Sequence, residues 1–115
     1  MPEGPEPRDA QMAMDALREH VTALDEVLIA LIGRRRDLVL EIGRMKGELG
    51  LPVMDPRREA NVVKRAAQLS RELGVDEELT RDVIWRIISS AREAQRGEGS
   101  WGPPARPAEA ASDDD

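Results

Sequence analysis

Leu17, Val21, Leu24, Leu28, Leu31, Arg35, Leu38, Ile42, Met45 and Leu49 recur at alternating steps of four and three residues, and nine of the ten are apolar. A period near 3.5 is the mark of a helix buried along one stripe, so this segment must be a long amphipathic helix. The tenth position is an arginine. A guanidinium keeps its charge and is costly to bury unless it meets an anion. Arg35 therefore calls for a carboxylate partner inside the protein or an anionic ligand in a pocket.

Punctuation residues divide the chain into three helices and no strand. The first is expected from Asp15 to Leu49, stopped by Gly50 with Pro52 beyond. The second starts with Asp55 as N-cap and Pro56 at its first position, and stops near Gly74. The third starts at Asp76, carries Glu77 and Glu78 where they complement the helix dipole, and runs to about Arg96. At ~1.5 Å per residue the first helix is roughly 50 Å long and the others roughly 27 and 30 Å, so neither alone covers the seam. The simplest partner is a second copy of the chain. The expected fold is all-α, with one long and two shorter helices per chain in an intertwined helical homodimer. The competing arrangement is a monomer with the short helices laid end to end along the long one.

Composition narrows the function. The chain has 115 residues and reads as one helical domain over residues 13–96, between disordered tails at 1–12 and 97–115, the latter acidic and rich in Gly, Pro, Ala and Ser. There is no cysteine and His20 is the sole histidine, which disfavours disulfides, thiolate chemistry and the usual metal sets. No metal and no cofactor are expected. A net charge of -6 disfavours nucleic acid despite the local run Arg34, Arg35, Arg36, and Trp85 and Trp101 alone offer no stacking platform. No apolar run approaches the ~20 residues of a membrane span, and the N-terminus lacks the pattern of a signal peptide. A soluble cytoplasmic protein is the expectation.

Other polar residues sit in apolar company. Lys46 lies eleven residues after Arg35, close to three helical turns, so the two cations share a face and can bracket a small anion. The stripe Leu79, Val83, Ile84, Ile87, Ile88, Ala91 of the third helix continues onto Gln95, whose amide wants partners for donors and acceptor alike. Arg58 stands in the first turn of the second helix, where a cation opposes the dipole, beside Glu59. Arg18 adjoins the seam roughly 25 Å from Arg35, too far to share its ligand unless a second chain runs antiparallel. Each has a plain alternative: a solvated lysine, a frayed glutamine, a surface ion pair. Together they describe a site for a small polyanion, with no nucleophile, metal or general-base histidine.

The strings LREHVTALDEVLIALIGRRRDLVLEIGRMK and LPVMDPRREANVV, and the third-helix ending SSAREAQ, closely resemble the all-helical chorismate mutases over residues 15–96. The resemblance implies an intertwined dimer with two active sites, each built from both chains, converting the dicarboxylate chorismate to prephenate. It implies that Arg18 reaches one substrate carboxylate from the partner chain and that Arg35 holds the other from within its own. Lys46 would contact a carboxylate and the ether oxygen, and Gln95 the ether oxygen. The backbone near Asp55 and the side chain of Glu59 would meet the ring hydroxyl, with Arg58 supporting the electrostatics. The rearrangement transfers no proton. It needs the enolpyruvyl arm held over the ring and charge stabilised on the ether oxygen, which are positioning and electrostatic effects.

One position departs from the family pattern. Where many relatives place a serine that touches a substrate carboxylate, this chain has Ala91, leaving a water or Ser90 to compensate, or a different substrate. Two related activities therefore stay open: rearrangement of 4-amino-4-deoxychorismate, and isochorismate pyruvate lyase activity, which the DPRRE segment fits less well. A catalytically silent helical dimer is a different class. It requires Arg35 to be neutralised by Asp25, Glu41 or Glu59.

Overall fold

The computed structural model describes residues 6–95. They form α1 (Pro7–Leu49), α2 (Pro56–Leu73) and α3 (Glu77–Gln95), with no strand among the described residues. The all-α reading and the order of one long and two shorter helices stand. The expected tail at 97–115, Trp101 included, lies outside the described residues.

The start of α1 corrects the sequence reading. Helix begins at Pro7, not Asp15, so residues 7–12 of the expected disordered tail are helical. The physical reason is local. Proline costs nothing at a first helical position, where its missing N–H would be unsatisfied anyway. The Glu6 carbonyl accepts from Ala10 N–H at 2.9 Å, Asp9 complements the dipole in the first turn, and Gln11 donates to Asp15 at 3.1 Å one turn on.

The other boundaries fall where their caps put them. α1 ends at Gly50, whose φ of 71° is the left-handed conformation glycine adopts without a Cβ penalty, and Leu51 N–H returns to the Lys46 carbonyl at 2.8 Å. Gly74 (φ 73°) repeats the device after α2, with Val75 N–H on the Ser70 carbonyl at 2.8 Å. Asp55 Oδ1 caps α2 through Arg58 N–H, and Asp76 Oδ1 caps α3 through Leu79 N–H, both at 3.2 Å.

The chain divides into two compact units, Met1–Arg35 and Arg36–Asp115, and α1 runs through both. In the first, α1 exposes its seam: Leu17, Val21, Leu24, Leu28 and Leu31 are all exposed. In the second, α2 and α3 pack against each other. Ion pairs at both ends make the hairpin antiparallel: Arg71 at the end of α2 meets Glu77 at the start of α3 (2.9 Å), and Glu59 near the start of α2 meets Arg92 near the end of α3 (3.0 Å). Most of the buried positions are small, Ala67 and Ser70 on α2 and Ser90, Ala91 and Ala94 on α3, which lets the backbones approach, with Ile88 as the one large buried side chain of the pair. Ser70 satisfies its hydroxyl on the Ala67 carbonyl at 2.6 Å.

Within the second unit α1 uses two faces. Leu40 is buried, though it is no member of the seam, whereas Leu38, Ile42, Met45 and Leu49 of the seam remain exposed. A helix turns about 100° per residue, so Leu40 and Gly43 stand roughly 130° or more from the seam's mean direction. The first two members of the expected α3 stripe, Leu79 and Val83, are exposed too.

Candidate active site

Three contacts tie the helices and the α1–α2 loop together in the second unit. Lys46, in the last turn of α1, donates from Nζ to the Val53 carbonyl at 3.1 Å, two residues before the cap Asp55. Arg92 on α3 donates to Glu59 Oε1 on α2 at 3.0 Å. Gln95 Nε2 donates to the Val39 carbonyl of α1 at 2.8 Å. Six of the eight candidate residues, Lys46, Asp55, Arg58, Glu59, Ala91 and Gln95, belong to this unit. Arg18 and Arg35 belong to the other.

These contacts leave donors in reserve. An ammonium has three N–H groups and an amide nitrogen two, so Lys46 and Gln95 each keep hydrogens beyond the carbonyl they serve. Arg58 stands in the first turn of α2 and makes no side-chain ion pair among the described residues. Asp55 gives its Oδ1 to the helix cap. Gln95 is not frayed into solvent as its place near a helix end suggests; it is seated on α1. Ala91, one turn earlier on the same face, is buried.

Glu59 has a partner that sequence reading missed. Its side chain and that of Arg92 are only 16% and 21% exposed, and the Arg92 guanidinium also lies 5.9 Å from the centroid of the Trp85 ring, at the outer range of a cation–π contact. An antiparallel hairpin puts the first turn of α2 beside the last turn of α3, so the spacing of Glu59 and Arg92 held the signal. Gly43 was missed as well. A Cβ built on it would lie 3.0 Å from Gln95 Nε2.

In the first unit, Arg18 is exposed and its carbonyl accepts from the Thr22 hydroxyl at 3.1 Å. It lines an open depression on α1 with Glu19, Thr22, Ala23 and Glu26. Arg35 is half-buried. Two of the three carboxylates that a silent dimer would need against it are engaged elsewhere, Glu41 with Arg44 at 3.1 Å and Glu59 with Arg92. Asp25 makes no ion pair among the described residues. No cluster of metal-ligating side chains and no helix long and apolar enough to cross a membrane occurs among the described residues.

The described residues are those of an all-α protein, and its second unit carries six of the candidate polar residues. Comparison with known proteins makes this specific: residues 17–96 match the family described as chorismate mutase type II, and the chain belongs to that family. It is 33% identical over 86 residues to the T-protein of Enterobacter agglomerans, covering 75% of this chain and 23% of the relative. It is 28% identical over 80 residues to a chorismate mutase of Methanocaldococcus jannaschii, covering 70% of this chain and 81% of the relative. Against a 4-amino-4-deoxychorismate mutase of Streptomyces venezuelae the identity is 39% over 79 residues, covering 69% and 77%. The chain thus spans about a quarter of the length of some curated relatives, such as the T-protein, and most of the length of others.

Proposed function

We propose that this chain is a chorismate mutase, an isomerase that rearranges chorismate to prephenate in aromatic amino-acid biosynthesis. The observation that carries the reading is the extent of the family match, which spans residues 17–96 and so contains every candidate position from Arg18 to Gln95. Arg35 and the partner chain's copy of Arg18 take the two substrate carboxylates. Lys46 and Gln95 direct their remaining N–H groups at the ether oxygen, where negative charge grows as the carbon–oxygen bond breaks. Removing one such donor costs ~10²-fold or more in other enzymes that stabilise developing oxyanions. Glu59 and the backbone at Asp55 meet the ring hydroxyl, and Arg58 adds positive potential. No group on the protein gains or loses a proton, and no cofactor takes part.

The working unit in this proposal is a cytoplasmic homodimer. The exposed seam supports it, because monomeric soluble proteins rarely leave so continuous an apolar face in water.

Rearrangement of 4-amino-4-deoxychorismate is a second reading, favoured by Ala91 and by the 39% identity to the Streptomyces venezuelae relative. Ultraviolet assay of the purified protein with each compound, with product identification, separates the two. Prephenate from chorismate supports the first reading, turnover of the amino compound alone replaces it with the second, and silence toward both removes the enzymatic assignment.

A further inference from the structure

Three glycines occur in the interior of α1, and they differ. Glycine inside a helix is less favourable than alanine because it gives up more backbone freedom on folding. None of the three has a positive φ, so backbone conformation does not require them. At Gly33 and Gly47 an added Cβ meets nothing within 4 Å. At Gly43 the three nearest atoms it meets all belong to Gln95: Nε2 at 3.0 Å, and Cδ and Cγ both at 3.4 Å. Carbon to amide nitrogen at 3.0 Å is inside ordinary van der Waals contact. One turn earlier along α1 stands Val39, whose carbonyl receives the Gln95 amide at 2.8 Å. Val39 and Gly43 thus form a notch on α1, an acceptor at one end and a missing side chain at the other, in which the Gln95 side chain lies.

We infer that Gly43 is a positioning residue for the rearrangement, its missing side chain seating Gln95 so that the second amide N–H is aimed at the substrate's ether oxygen. This rests on the role proposed for Gln95 above. The notch holds the Gln95 side chain against α1, and so sets the direction of a donor whose value depends on being fixed before the transition state forms. A methyl group at residue 43 displaces the amide by a few tenths of an ångström at least, and the Val39 bond and the substrate bond cannot both keep their geometry.

The test compares Gly43→Ala with Gly47→Ala, alone and in a Gln95→Ala background, with chorismate as substrate. Alanine is the better helix former, so both single variants should melt no lower than the parent. The inference expects kcat to fall at least tenfold in Gly43→Ala with KM changed by less than threefold, and both to stay within twofold in Gly47→Ala. In the Gln95→Ala background, adding Gly43→Ala should change kcat by less than twofold. Losses that multiply in the double variant, or a Gly43→Ala enzyme within twofold of the parent while Gln95→Ala is impaired, overturn the role of Gly43 alone. A Gln95→Ala enzyme with full activity overturns the Gln95 assignment and this inference with it. The side-chain amide resonances of Gln95 give a readout independent of turnover: they should shift in Gly43→Ala and stay in place in Gly47→Ala, and unchanged resonances in Gly43→Ala also overturn the notch.

Discussion

At the scale of single residues, the candidate site is a matter of counting donors. The Gln95 amide has two N–H groups, and Val39 takes one. A carboxylic acid has one O–H, so Gln95→Glu can serve Val39 or the substrate but not both. An ionised carboxylate would face the Val39 carbonyl, which favours the protonated form. We expect Gln95→Glu to be slower than the parent at every pH and to lose activity further as pH rises and the acid ionises, against a flat profile for the parent. A pH series of kcat checks this, and a flat profile in the variant sinks it. Arg35→Ala should abolish turnover while leaving the melting temperature unchanged or higher, because it removes a charge from an apolar seam. A sharp fall in melting temperature would instead give Arg35 a structural role.

At the scale of elements, the α2–α3 hairpin is held at its tight end by one acid. Glu77 accepts from Arg81 at 2.8 Å and pairs with Arg71 across the Gly74 turn at 2.9 Å. The hydrogen bond from Arg81, then that from Arg71, holds its carboxyl below the usual carboxylate range. A depressed acid stabilises the fold above its unfolded value and loses that contribution as pH falls through its folded value. The group is open to solvent, so the effect is small and screened by salt. Melting curves should place Glu77→Gln below the parent at neutral pH, with the gap closing as pH falls through and below the carboxylate range. A gap that persists in acid would show that the ion pairs are not its source. Asp55→Ala, which removes the cap on Arg58 N–H, should cost about 0.5–2 kcal/mol in chemical denaturation.

At the scale of the whole molecule, the proposed homodimer rests on the seam. Leu24, Leu28 and Leu31 are each more than half exposed in the single chain. Covering the remaining surface of such a side chain contributes about 1–2 kcal/mol. An aspartate at the same place leaves a charge that must stay in water. Leu28→Asp should therefore yield monomer in sedimentation velocity at concentrations where the parent sediments as dimer. If active sites are shared between chains, its activity should fall with the dimer fraction. A parent that sediments as monomer at every concentration would remove the dimer and leave Arg18 without a site.

The helices were legible because periodicity and caps act over a few neighbouring residues. The seam from Leu17 to Leu49, the Asp55-Pro56 start and the Gly50 and Gly74 stops each carry their own local cause, and only the first turns of α1, across Pro7 to Met14, escaped. The candidate site was legible where a residue was out of place for its element: a cation in an apolar seam at Arg35, an amide on an apolar stripe at Gln95. What the sequence could not display were pairings set by tertiary distance. That Glu59 takes Arg92, that Gln95 settles on Val39, and that Gly43 leaves the space for it depend on how the helices pack across separations of 33 to 56 residues, which no local period records.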